Sequence, residues 1–313
     1  MMKEKDTANP AVKKKHRAAR YRTTNDVVMD ICVGILLGLI VIVTMYPLIY
    51  VISCSISAPA AVLTGEVIFL PVRPTLMSYQ KLFQEGTLNR GLFNSIFYTV
   101  VGTLINLILT TTGAYALSEK KLAGRSVITK LIMFTMMFSG GLVPTYLVVK
   151  QFHMINTVWS LLIPNAIGVT NFMIMKNTFE FSIPVELKEA AQVEGASQTR
   201  IFLSIVLPLS KAIIAVMFMY YCVGHWNEYF NALLYITKEE LQPLQVVLRR
   251  ILISNEINQM ISDGATMQSM DRMALGEGMR YAVIVVSSIP MIMLYPFFQR
   301  YFTKGVMVGA VKG

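Results

Sequence analysis

Between Leu209 and Ile236 an apolar run is interrupted by Tyr220, Tyr221, Gly224, His225, Asn227, Glu228, Asn231 and Tyr235. At 100° per residue these positions fall within a little under half of a helix circumference, with Cys222, Val223, Trp226, Phe230 and Leu233 opposite. A carboxylate inside a bilayer costs about 2.5–3.5 kcal/mol on insertion scales, so Glu228 must face a partner or a water-filled cavity. Tyr221, His225, Asn227, Glu228 and Asn231 are therefore candidates for lining a path for a hydrogen-bonding solute. The same groups could equally bind neighbouring helices. Either way the chemistry on offer is binding. His16, His153 and His225 are scattered, and no HExxH, paired CxxC or GxSxG occurs, so neither a metal site nor a catalytic constellation is expected. GxxxxGK[ST] is also absent, so this chain is not expected to cradle ATP phosphates.

A second stretch, Pro184 to Pro208, is amphipathic and charged and lies between two strongly apolar runs. Pro184 suits the first turn of a helix, and Glu186 complements the positive end of its dipole. A short helix over Val185 to Glu194 is expected to end at Gly195, the residue best suited to a left-handed turn. Ser197 can cap a second helix that carries Ile201, Phe202 and Ile205 on one side. Ala190 and Ala191 are small enough to let another surface approach closely. The pattern is a helix–turn–helix on a membrane face, shaped to be held by a partner.

The elements that must position these stretches follow from composition. Of 313 residues, 54% are hydrophobic and only 15% charged, against about 25% in soluble domains. The apolar runs far exceed the roughly ten residues of a barrel strand. The expected class is therefore an all-α polytopic membrane protein, because helices satisfy their own backbone within a bilayer. Six spans are expected, near 27–51, 91–118, 131–149, 154–175, 209–236 and 281–299, with both termini cytoplasmic. Residues 1–25 form a basic cytoplasmic segment, 26–303 the transmembrane domain and 304–313 a cytoplasmic tail. The loop 176–208 lies inside, and loops 53–90 and 237–280 lie outside. The net charge of +10 gathers on the inner side, as orientation by positive charge requires, and calls for no nucleic acid. Three cysteines, at 32, 54 and 222, lie in or beside spans and form no disulfide framework.

Glu189-Ala190-Ala191, then Gly195, then Ile205 and Leu207-Pro208 resemble the EAA loop of permease subunits in binding-protein-dependent ABC importers. Gly224-His225-Trp226-Asn227-Glu228-Tyr229-Phe230-Asn231, followed by Pro243-Leu244-Gln245, is similar to carbohydrate permeases of that class. Phe138 to Tyr146 and the tail from Gln299 to Gly313 carry the same likeness, nearest to the smaller permease of the maltose importer and its complex-oligosaccharide branch. The resemblance covers about residues 25 to 313. Glu194 departs from the family's usual aspartate, and Ala212 stands where a proline is common, which leaves the start of the fifth span without that kink.

The resemblance implies a non-catalytic cell-membrane subunit forming half of an oligosaccharide pathway. Its partners would be a second homologous permease, two ATPase subunits and an extracytoplasmic substrate-binding protein. ATP-Mg would be held by the ATPase, with no cofactor in this chain. Glu189, Ala190, Ala191, Gly195, Ile205, Leu207 and Pro208 would couple to the ATPase, and 237–280 would meet the binding protein. In the maltose system the other permease holds most of the sugar. Two alternatives remain: the same architecture importing a peptide or polyol, and a self-sufficient secondary transporter with ion sites at Gly140-Gly141-Pro144 and Pro164 to Gly168.

Overall fold

A computed structural model describes residues 24–84, 86–261 and 267–310, with side chains at 27–84, 86–253 and 270–299. The basic segment up to residue 23, part of the expected external loop 237–280 and the end of the tail lie outside the described residues. Every long element described is helical.

Helix α1 (Thr24–Ser55) contains Pro47 and is apolar on all sides, its side chains from 27 to 49 exposed as expected for a lipid-facing span. Then come α2 (Pro59–Leu63), α3 (Met77–Gln84) and α4 (Thr87–Ser118). Next are α5 (Arg125–Met137), α6 (Leu142–Gln151), α7 (Trp159–Leu162) and α8 (Val169–Phe181). The amphipathic stretch forms α9 (Val185–Val193) and α10 (Gln198–Ile201), a wider π-type turn over Phe202–Val206, and the single turn α11 (Leu207–Leu209). The chain closes with α12 (Lys211–Trp226), α13 (Phe230–Tyr235), α14 (Leu244–Ile261) and α15 (Met267–Ala310).

Within residues 50–310, α4 is the central post. It packs against α12, α8 and α14, while α15 packs against α2, α3, α12 and α14. Close approach is possible because Gly91, Gly102 and Gly113 share one stripe of α4. A Cβ at Gly102 would run into the His225 ring, and one at Gly113 would lie 2.8 Å from the Phe172 ring.

Among the described residues, three helices are long and apolar enough to cross a membrane: Val27–Ser55, Thr87–Ser118 and Met270–Gln299. The number is five if each of two bent pairs is one span. The third expected span is one of them: α5 and α6 are bent by 117° at the expected Gly140-Gly141 interruption. The fifth is not one continuous helix either. It leaves the preceding loop helices by an 83° turn about Ser210, and it breaks at 227–229 between α12 and α13. The fourth is split at Pro164 to Gly168 into α7 and α8. Conversely, the expected loop 237–280 contains α14 and the first turns of α15, a helix of 44 residues and about 66 Å.

Candidate functional site

The loop between α8 and α12 is built as local sequence dictates. Helix α9 ends in a left-handed residue, Gly195 at φ +80°, whose N–H donates to the Gln192 carbonyl at 3.0 Å. Ala196 N–H donates to the Ala191 carbonyl at 2.9 Å, so both bonds of a Schellman ending are made. Ser197 then caps α10 by accepting from the Arg200 N–H at 3.3 Å.

Beneath the loop lies one core. Ile201, Phe202 and Val206 are buried against Tyr115 of α4 and Phe172, Met175 and Phe179 of α8, with Ala191, Ile205 and Leu207 packed on them. Glu189, Ala190, Gly195 and Pro208 face outward, and Val193 is 89% exposed. The loop residues singled out in the sequence thus divide into an anchoring set (Ala191, Ile205, Leu207) and a presenting set (Glu189, Ala190, Pro208).

Three polar ties that sequence reasoning did not anticipate join this loop to the end of α4. Lys188, 8% exposed, places Nζ 2.7 Å from Glu119 Oε1 and 5.4 Å from the centre of the Tyr115 ring. Tyr115 Oη donates to Gln198 Oε1 at 2.9 Å. Alongside, Glu180 receives both Arg125 at 2.5 Å and Lys176 at 2.7 Å. Burial alone would raise the Glu180 carboxyl, but these two cations outweigh it and hold its pKa below the ordinary carboxylate range. Glu119, Lys188, Glu189 and Gln192 border an open cleft of about 570 Å³.

The polar face of the fifth span is split by the break after α12. Tyr221 and His225 are buried against α4: the Tyr221 and Thr110 hydroxyls are 2.7 Å apart, and the Asn106 amide nitrogen is 3.2 Å from His225 Nε2. Here the structure shows interhelical bonding. Asn227 and Glu228 lie in the break and Asn231 in α13, so all three belong to a different local structure. The Asn227 amide nitrogen donates to the Val223 carbonyl at 2.9 Å, closing the end of α12, while Glu228 Oε1 accepts from Asn231 Nδ2 at 3.0 Å. Asn227 is exposed, and Glu228 and Asn231 are half-buried. Nearby, the Arg249 guanidinium stacks on the Tyr229 ring at 5.3 Å and donates to its hydroxyl.

The partner face on α4 had a legible signal. Ser95, Thr99, Thr103, Asn106 and Thr110 recur at helical spacing in an uncharged span, and all are buried. The Thr99 and Thr103 hydroxyls and Asn106 Oδ1 have no hydrogen-bond partner among the described residues. Also among the described residues, no group of three or more His, Cys, Asp or Glu side chains is arranged to hold a metal.

Residues 124–308, which include the loop and α12, match the family described as "Binding-protein-dependent transport system inner membrane component". This chain belongs to that family. As a member it is a membrane permease component of a transport system, which sets aside the self-sufficient secondary transporter. The chain is 40% identical to Protein LplC of Bacillus subtilis (strain 168) over 286 residues, 91% of this chain and 95% of that protein. It is 38% identical over 279 residues to the polygalacturonan/rhamnogalacturonan transport system permease protein YtcP of the same organism, 87% of this chain and 94% of YtcP. Among solved structures it resembles a chain of a bacterial ABC transporter involved in the import of the acidic polysaccharide alginate. The TM-score there is 0.82 at 32% identity, covering 90% of this chain and 99% of that chain.

Proposed function

We propose that this permease forms half of the translocation pathway of an ATP-driven oligosaccharide importer and couples to a separate ATPase through residues 176–208. The observation that carries the coupling is the loop's construction. A helix ends at a left-handed glycine, Ala191, Ile205 and Leu207 are locked into the core, and Glu189, Ala190 and Val193 are left outward for another protein. Polar ties from Lys188 and Gln198 to the end of α4 give a motor pushing on α9 a rigid purchase on a spanning helix.

The topology is six spans with both termini and this loop in the cytoplasm, with α5–α6, the split α7–α8 segment and α12–α13 each counting as one span. A second permease, two ATPase subunits and an extracytoplasmic binding protein complete the assembly, and ATP-Mg resides on the ATPase. For the solute, YtcP and the alginate transporter both point to carbohydrate, and to chains bearing uronic acids. Asn227, Glu228 and Asn231, at the broken end of α12, are the candidates for the pathway, whereas Tyr221 and His225 serve it by holding α12 to α4.

Affinity purification in mild detergent tests the assembly. An ATPase and a second permease should co-elute with the wild type, and the ATPase should be lost with Gly195→Asp. Elution of the chain alone would sink the coupling proposal. In the reconstituted complex, binding protein loaded with oligogalacturonate should raise ATP hydrolysis. Stimulation by a peptide or polyol in its place would overturn the carbohydrate reading.

A further inference from the structure

Beside the coupling loop, at the foot of α5, lies a second open concavity of about 560 Å³. Lys120, Arg125, Lys130 and Lys176 line it, and no acidic side chain does. Glu180 behind it is committed to Arg125 and Lys176 and fixes both. Lys120 and Lys130 are exposed and have no ion pair among the described residues. The first turn of α5 starts at Gly124, which has no side chain to cap it, so backbone N–H groups add positive potential at the same place.

The concavity continues into an apolar stripe. Val127 lines it, and Leu131 and Phe134 follow at four and seven residues further up α5; the three are 62%, 61% and 56% exposed. Helix α5 buries none of its residues. A cationic hollow at a membrane boundary with an apolar track rising from it matches a molecule that has an anionic head and long acyl chains.

We propose that this hollow binds an anionic phospholipid, the phosphate among Lys120, Arg125 and Lys130 and an acyl chain along Val127, Leu131 and Phe134. A free phosphate shares the head-group chemistry but has no use for the stripe, so the lipid is the occupant. The inference rests on the membrane placement of α5 and is independent of the transported solute and of the coupling loop.

Native mass spectrometry of the purified importer complex, titrated with dioleoyl phosphatidylglycerol, provides the test. Lys120→Gln/Lys130→Gln removes the two unpaired cations and leaves the Glu180 cluster intact, which an unchanged melting temperature would verify. Two lysines near an anionic head group account for about thirtyfold in affinity, so the double variant should lose one tightly retained phosphatidylglycerol per complex and bind it about thirtyfold more weakly. Retention of phosphatidylcholine should not change. Equal phosphatidylglycerol retention by wild type and variant would overturn the proposal. So would its displacement by millimolar inorganic phosphate, which would make the hollow a simple anion site. If Leu131→Asn leaves lipid retention unchanged, the acyl-chain track is wrong and the proposal falls with it.

Discussion

The two ends of α4 are held by different chemistry. At the loop end charged groups join the fastenings: Lys188 pairs with Glu119, and Arg125, held by Glu180, donates Nε to the Leu117 carbonyl at 2.8 Å, beside the neutral Tyr115–Gln198 bond. At the other end they are neutral and aimed at backbone. Asn94 donates to the carbonyls of Glu240 at 2.7 Å and Gln242 at 3.0 Å, Tyr98 donates to the Leu241 carbonyl, and Ser95 accepts from Leu244 N–H. A charged hydrogen bond is roughly twice as strong as a neutral one and tolerates some change of angle around the ammonium. Multiple short neutral bonds to a turn fix position more narrowly. The loop end therefore suits an attachment that transmits load, and the opposite end suits a fixed bearing.

The largest expected effect comes from inverting the loop-end pair. Lys188→Glu sets two carboxylates face to face beside Tyr115, and ATP-driven uptake should fall about tenfold or more, the scale of a coupling free energy. The double reversal Glu119→Lys/Lys188→Glu should recover most of it, with the ATPase still bound in all three complexes. Loss without recovery would make Lys188 a packing residue only.

Midway along α4, Gly102→Val drives a branched side chain into the His225 ring. Overpacking of this kind costs about 1–3 kcal/mol, visible as a lower melting temperature in detergent. A variant as stable as wild type would show that α12 can move off α4 freely.

The Glu180 cluster should reveal itself through pH. Its carboxyl has a depressed pKa when folded, so its stabilisation is fully present above the unfolded value near 4.5 and is lost as pH falls through the lower folded value. The melting-temperature advantage of wild type over Glu180→Gln should hold from about pH 7 to about pH 5 and shrink as acidification carries the solution through the depressed folded-state pKa. An advantage that instead grew on acidification would contradict the ion-pair account. The smallest effect belongs to the neutral end: Asn94→Ala should cost about 1 kcal/mol of stability and leave uptake per molecule unchanged. A coupling defect there would erase the contrast between the two ends.

What the sequence made legible was whatever is local. Pro184, Gly195 and Ser197 announce α9, its ending and the cap of α10, because each acts within four residues of itself. The alternation of apolar runs announced the helices. Lys188 was not legible: on a helix edge it reads as a solvent-facing lysine, and its partner Glu119 is 69 residues away. Nor was the break after Trp226, since Asn227, Glu228 and Asn231 continue a helical pattern on paper. The chain stops there because the Asn227 side chain returns to the Val223 carbonyl and Trp226 is pinned by donating Nε1 to the Ser287 carbonyl of α15 at 3.0 Å. Gly140-Gly141 marked an interruption, but a turn of 117° between α5 and α6 is a property of the packed chain.

Among the described residues Val193, at the end of α9, is the large apolar side chain left barest, at 89% exposure. If the ATPase covers it as proposed, every copy of this subunit made in excess of its motor carries an uncovered greasy knob into the cytosol. Such a knob is a mark that membrane proteases and chaperones can read. The steady-state amount of the subunit should then follow the supply of the ATPase, even with its own synthesis held constant. Stoichiometry in the membrane would be enforced by degradation, with Val193→Ser stabilising the orphan.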